Sequence, residues 1–126
     1  MLITEGHRDV LEMKEGLKDD RYNVRMPPQE PLIPRRMIVG VRQRLRHDGT
    51  VVTPLDGESL RRGIEHLCAA GVESVAVCYL HSYREHMDES KTAIEVRRRI
   101  PGSYVSASSE ILPQIKEYER LWTTAV

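Results

Sequence analysis

The stretch AGVESVAVCYLHSYRE, residues 70–85, decides how this chain folds. Val75 to Leu80 is apolar without alternation. A strand that is apolar on both faces belongs in the middle of a sheet covered by helices on both sides. Gly71 stands just before it, where a left-handed residue ends a helix. Upstream, Leu60, Ile64, Leu67 and Cys68 recur at helical spacing, with Asp56 as the N-cap. Downstream, residues 84–100 read as a second helix with Ala93, Val96, Arg97 and Ile100 as its stripe, ended by Pro101-Gly102. Tyr104 to Ser109 is a further short strand. A third helix is expected from near Pro113, with Ile115, Tyr118, Trp122 and Ala125 on its buried side.

The segment before this unit has a different character. Met37, Val39, Val41 and Leu45 alternate with Arg42, Arg44 and Arg46, and Asp48-Gly49 tolerates the positive φ of a tight turn, so residues 37–55 read as a β-hairpin. Residues 19–36 hold four of the seven prolines (Pro27, Pro28, Pro31, Pro34) and read as an extended connector. Before it, Leu2 and Ile3 look like the end of a strand. Thr4 can cap a weak helical stripe of Val10, Leu11, Met13, Lys14 and Leu17. The expected organisation is 1–18, a strand end plus helix; 19–36, connector; 37–126, hairpin plus α/β unit with an uncapped last helix. The fold class is α/β, with α+β as the alternative: a mixed sheet in which a β-hairpin precedes β-α-β-α-β units, with helices packed on the sheet. Both ends run through elements, which suggests a piece of a longer protein.

Composition narrows the function classes. The chain has 126 residues, with 19 basic and 19 acidic side chains and 31 Leu, Ile and Val. That is one domain with a core, not a disordered chain. Zero net charge argues against a dedicated nucleic-acid binder. No long apolar run suggests a membrane helix, no secretory leader is visible, and two cysteines are too few for a disulfide scaffold. A cytoplasmic protein is expected. Cys68 and Cys78 read as small core hydrophobes. The histidines His7, His47, His66, His81 and His86 show no metal spacing, so no metal site is expected. Neither glycine-rich nucleotide fingerprint is present. The 15 arginines, as in Arg97-Arg98-Arg99, read as solvated faces balanced by carboxylates.

Two segments carry candidate chemistry. LHSYRE (80–85) follows the buried strand, and ligands sit at the carboxyl ends of parallel strands. His81, Ser82 and Tyr83 can face a ligand there, or simply cap the strand end, with Ser82 starting the next helix. SSEILPQIKEYERLWTT (108–124) crowds Glu110, Glu117, Glu119 and Arg120 at a strand–helix junction. Helix-dipole stabilisation explains Glu110 equally well.

TEGHRDVLE (4–12), PLIPRR (31–36), AGVESVAVCYLHSY (70–83) and SSEILPQIKEYER (108–120) with Thr123-Thr124 occur in the order seen in the hydantoinase A/5-oxoprolinase family, which the chain resembles. The resemblance implies an ATP-dependent enzyme that opens cyclic amides such as hydantoins and 5-oxoproline, with acetone and acetophenone carboxylase subunits as the related branch. It implies part of an actin-like ATPase-type N-terminal region whose nucleotide loop, of the form D-x-G-G-T, would precede Thr4. ATP and Mg would then bind mainly outside these residues. The implied partners are a hydantoinase B-type subunit or domain, the rest of the parent chain and a small-molecule substrate. The ligand-cleft candidates are His81, Ser82, Glu110, Glu117, Arg120, Thr123 and Thr124, and no residue is assigned as a nucleophile. Leu121-Trp122 departs from the small pair usual before the threonines, so the indole would fill a pocket or pack on a helix. The competing reading from another class is a non-catalytic α/β interaction module with an Arg-rich face.

Overall fold

The computed structural model describes residues 1–16, 20, 22–27 and 30–126. The predicted positions Leu17 and Pro28 lie outside the described residues. Four strands form one sheet in the order β2-β1-β5-β6: β1 (Leu2–Thr4), β2 (Val39–Val41), β5 (Ser74–Cys78) and β6 (Tyr104–Ala107). Every pairing in it is parallel. Antiparallel pairing is confined to a separate ribbon of β3 (Arg44–Leu45) and β4 (Val51–Thr53). The fold is α/β. The antiparallel component expected from residues 37–55 is therefore shorter than predicted.

Two core clusters lie on opposite faces of this sheet. Leu2, Val75, Val77 and Tyr79 pack with Leu60, Ile64 and Leu67 of α2 (Gly57–Ala69) and with Ala93 and Val96 of α3 (Met87–Arg99). Ile3, Ala76 and Cys78 pack on the other face with Leu11 of α1 (Val10–Met13) and Leu121 of α5 (Glu117–Ala125). This is why Val75 to Leu80 shows no alternation: both faces of β5 are covered. The approach of α2 depends on Gly63. A Cβ there would stand 3.2 Å from Leu2 Cδ2 and 3.3 Å from Val39 Cγ1.

Local signals explain the ends of α2. Asp56 Oδ1 accepts from Ser59 N–H at 2.6 Å, as an N-cap should. At the other end Gly71 N–H donates to Cys68 O at 3.0 Å and Val72 N–H to Leu67 O at 3.4 Å. Gly71 has φ +68, which completes a Schellman end leading straight into β5. Gly49, with φ +91, closes the β3–β4 turn.

Several expectations are corrected. Val39–Val41 is an edge strand of the main sheet, not a hairpin arm. Val39 N–H donates to Met1 O and Glu5 N–H to Val41 O, both at 2.9 Å. Period two cannot distinguish these pairings, because the same side chains are buried in either. Thr4 belongs to β1 and caps no helix, and Asp9 stands at the N-cap of α1. The helix of residues 84–100 starts only at Met87, and Arg97 is exposed. Ser82 does not cap it. The last helix does not start near Pro113. A single turn, α4 (Ser108–Ile111), stops at Leu112 (φ −144), as expected before a proline, and α5 begins after Lys116 with φ +87. Its buried side is Arg120, Leu121 and Thr124. Ile115 is 69% exposed, Trp122 is exposed and leans on Tyr118 at 6.1 Å between centroids, and Tyr118 and Ala125 are half-buried. Cys68 is exposed, while Cys78 is buried and its thiol is pushed up to about 12, chiefly by burial.

Val77 is fully buried where β5 pairs with β1 and β6. Val77→Asp should therefore cost on the order of 4 kcal/mol or more, since the carboxylate has no partner there. Val52→Asp, at a half-exposed site in β4, should change little. Thermal melts followed by circular dichroism test both; a native-like Val77→Asp melt would remove β5 from the core.

Candidate functional site

Strand β5 ends at Cys78, and the backbone beyond it has no strand to pair with. Side chains take over. Tyr79 N–H donates to Glu89 Oε1 at 2.7 Å, and Tyr79 O accepts from Arg120 Nη2 at 2.8 Å. Leu80 N–H donates to Thr4 Oγ1 at 2.9 Å, and that hydroxyl also accepts from Gln43 Nε2. Glu89 and Arg120 are both fully buried. Neither touches the other. Ser108 Oγ links them, donating to Glu89 Oε1 at 2.7 Å and accepting from Arg120 Nη1 at 3.1 Å. Glu89 Oε2 accepts from Ser109 N–H at 2.8 Å. Arg120 Nη1 also donates to Ser82 Oγ, and Nη2 reaches Glu117 Oε1 at 3.3 Å.

This cluster is built from four elements. The helix α3 supplies Glu89, α5 supplies Arg120, the first residue of α4 is Ser108, and Tyr79 follows directly on β5. Two opposite charges share hydroxyl and backbone partners, which offsets the cost of taking them out of water. Thr92 completes it by bonding the Tyr79 hydroxyl at 2.9 Å. Burial pushes the Tyr79 phenol well above its ordinary value.

Above this buried layer lies a wetter rim. Arg44 Nη1 stands 2.6 Å from His7 Nε2. His81 sits in the left-handed region with φ +60, packs edge-on to Tyr83 at 5.9 Å and accepts or donates a long 3.3 Å hydrogen bond with its hydroxyl. Arg84 and Arg120 flank the Tyr83 ring at 5.6 and 5.8 Å. His7, Glu117 and Arg120 line a crevice of about 10 Å³ together with Thr4 and Leu80, room for roughly one water molecule. Burial holds both imidazoles below the ordinary histidine value. Arg44 adds to this in each, and Glu117 opposes it.

The structure thus sorts the seven sequence candidates. Glu117 lies within electrostatic reach of His81 at the rim, and Ser82 and Arg120, bonded to each other, lie beneath it. Thr124 spends its hydroxyl on Arg120 O at 2.7 Å. Thr124 and exposed Thr123 line a different groove, of about 500 Å³, with Met1, Tyr104 and Ile111. Glu110 is exposed and joins none of these contacts. Sequence reasoning missed Glu89, Thr92, His7 and Arg44. The available signal for His7 was its place in a glycine-containing turn directly after a strand end. Glu89 carried no such signal, since it reads as one more charge on a charged helix.

No glycine-rich phosphate loop is present in the sequence, and no group of three or more His, Cys, Asp or Glu side chains among the described residues could hold a metal ion. No described helix is long and apolar enough to cross a membrane.

A parallel sheet wrapped by helices, with polar groups gathered at its carboxyl edge, is an α/β arrangement of the kind in which ligands generally sit at the carboxyl ends of the strands. The chain belongs to the family described as hydantoinase/oxoprolinase N-terminal region, whose profile matches residues 1–100. It is 34% identical over 128 residues to the caprolactamase subunit alpha of Pseudomonas jessenii, covering 100% of this chain and 18% of that one. It is 29% identical over 139 residues to the acetophenone carboxylase gamma subunit of Aromatoleum aromaticum, covering 100% and 19%. The crystal structure of the ATP-dependent caprolactamase from Pseudomonas jessenii superposes with a TM-score of 0.87 at 34% identity, over 98% of this chain and 18% of that one. The nucleotide-free structure of acetone carboxylase gives 0.88 at 27% identity, over 98% and 19%. The chain therefore spans about a fifth of the length of these relatives.

Two predictions follow from this geometry. In Glu89→Gln one carboxylate oxygen becomes an amide donor facing Tyr79 N–H or Ser109 N–H. We expect a loss of about 2–3 kcal/mol, measured by urea unfolding; an unchanged midpoint would mean that the charge is not needed. Second, His7 and His81 bind protons more weakly in the folded chain. As pH falls below about 6.5 the unfolded chain takes up the extra protons, and stability drops. Melting midpoints between about pH 7 and 5.5 should fall with acid in the native chain and flatten in His7→Gln/His81→Asn. Asparagine is chosen at 81 because it tolerates positive φ. An unaltered slope would assign the acid sensitivity to other groups.

Proposed function

We propose that these residues form the N-terminal region of an ATP-dependent enzyme that opens cyclic amides, a lactam, hydantoin or 5-oxoproline, and that they are catalytically incomplete alone. The observation that carries this reading is the match to the caprolactamase alpha subunit in both sequence and structure, 34% identical with a TM-score of 0.87. Its name and that of 5-oxoprolinase 1 of Arabidopsis thaliana, 25% identical over 146 residues, both describe cyclic amide substrates. ATP with Mg binds chiefly through residues outside this region. The partners are the remainder of the parent chain and a hydantoinase B-type subunit or domain.

In this reading His81 and Glu117 border the substrate cleft. Ser82 and Arg120 fix them: Arg120 holds Glu117 at 3.3 Å and, through Tyr79 O, the backbone leading to His81. Water reaching an amide carbon needs donors and acceptors fixed in advance, because reorganisation during reaction is costly. A rigid buried layer beneath a polar rim supplies that.

A second reading, a carboxylase-type subunit, is supported by the likeness to the acetophenone carboxylase gamma subunit and to acetone carboxylase. The interaction-module reading keeps only part of its support: of the arginines expected on a basic face, Arg98 and Arg99 pair with Glu95, whereas Arg97 bonds Val105 O and Arg44 meets His7.

The test uses the full-length protein with its hydantoinase B-type partner. ADP release should be stimulated by caprolactam, hydantoin or 5-oxoproline without bicarbonate, and Glu117→Gln should lower kcat about tenfold or more. Turnover that requires acetone or acetophenone together with bicarbonate would transfer the protein to the carboxylase branch. Residues 1–126 alone should release no ADP.

A further inference from the structure

We propose that His7, Arg44 and His81 form a binding site for a small oxyanion, a phosphate or a carboxylate, at the carboxyl edge of β1 and β5. The charge balance of the rim carries the argument. Arg44 is exposed, and its side chain meets a neutral acceptor, His7 Nε2, at 2.6 Å. Among the described residues it has no carboxylate partner. Glu117 is the carboxylate in reach of both histidines, and it is engaged by Arg120 at 3.3 Å. Arg120 is paired with Glu117, which leaves Arg44 as the cation at His7 without a carboxylate partner among the described residues.

The donors are also placed for an anion. With Nε2 accepting from Arg44, His7 carries its proton on Nδ1 and can donate. A guanidinium offers several N–H groups in one plane, which matches the oxygens of a phosphate or carboxylate. Arg120 is fully buried, lines the crevice beside His7, and its Nε has no partner among the described residues. His81 is held at φ +60, a backbone state that costs energy for a residue other than glycine and persists where the surroundings impose it. The site depends on the ring-opening reading only for its two ligand sources. Amide hydrolysis yields a carboxylate, and ATP cleavage yields phosphate.

Isothermal titration calorimetry on the full-length protein tests this, with inorganic phosphate in one arm and acetate in the other, at fixed pH and ionic strength. Saturable binding of one or both is expected, and the preferred anion identifies the source. Arg44→Gln and His7→Asn should each weaken it about tenfold or more. Arg46→Gln, on the same exposed side of the segment, should leave it unchanged. Absence of saturable binding, or an equal loss in Arg46→Gln, overturns the proposal. The titration contains neither ATP nor lactam, so its outcome is independent of whether ring opening is observed.

Discussion

Where β5 leaves the sheet, the peptide groups flanking Tyr79 are gripped from two sides: the N–H by a buried carboxylate and the C=O by a buried guanidinium. The strand is central, so its end is as deeply buried as its middle. Unpaired backbone polar groups at that depth would cost about as much as lost hydrogen bonds. A neutral side chain could satisfy one of them. Glu89 and Arg120 satisfy both and also reach Ser82, Ser108 and Ser109. They thereby lock α3 and α5, which lie on opposite faces, to the same point of the sheet. The backbone leading to His81, and the place of Glu117 beside it, follow from this junction.

How much of this could be read from the residues depends on which physical signal each element sends. The unalternating run of β5 announced a central strand because burial on both faces leaves no other pattern. Asp56 and Gly71 announced the ends of α2 because cap chemistry is local. In α5 the signal was misleading. Ile115 and Trp122 look like a buried stripe, yet the helix buries Arg120 and Thr124 instead. Periodicity assigns charges to the outside, so a helix that buries an arginine for its hydrogen bonds is read from the wrong side. Glu89 was hidden by the same rule. The three-residue strands β1 and β2 are too short for period two to fix their partners, and their pairing is decided by contacts remote in sequence.

The candidate site was half legible for a related reason. The general preference for ligands at the carboxyl ends of parallel strands pointed to His81 and Ser82. It could not point to Arg44, which arrives from the β3–β4 ribbon, or to His7, which arrives from the turn after β1. Those residues meet only because β1 lies between β2 and β5. Glu110 fell away because it is exposed on the single turn α4, and Thr123 because α5 turns it toward the groove lined by Met1, Tyr104 and Ile111.

The two solved relatives have TM-scores of 0.87 and 0.88 over nearly the whole chain, although one is titled a caprolactamase and the other an acetone carboxylase. Equal backbone similarity across two reactions means that this scaffold does not itself choose between them. What it can contribute to both is a fixed edge of the cleft. The division of labour within the polar residues suits that role. The buried layer has its donors and acceptors largely committed to one another and sets geometry. At the rim, His7 and His81 are half-buried and capable of changing protonation. On the proposed reading, selection among substrates would come from groups outside these residues, and this edge would supply positioned charge common to each case.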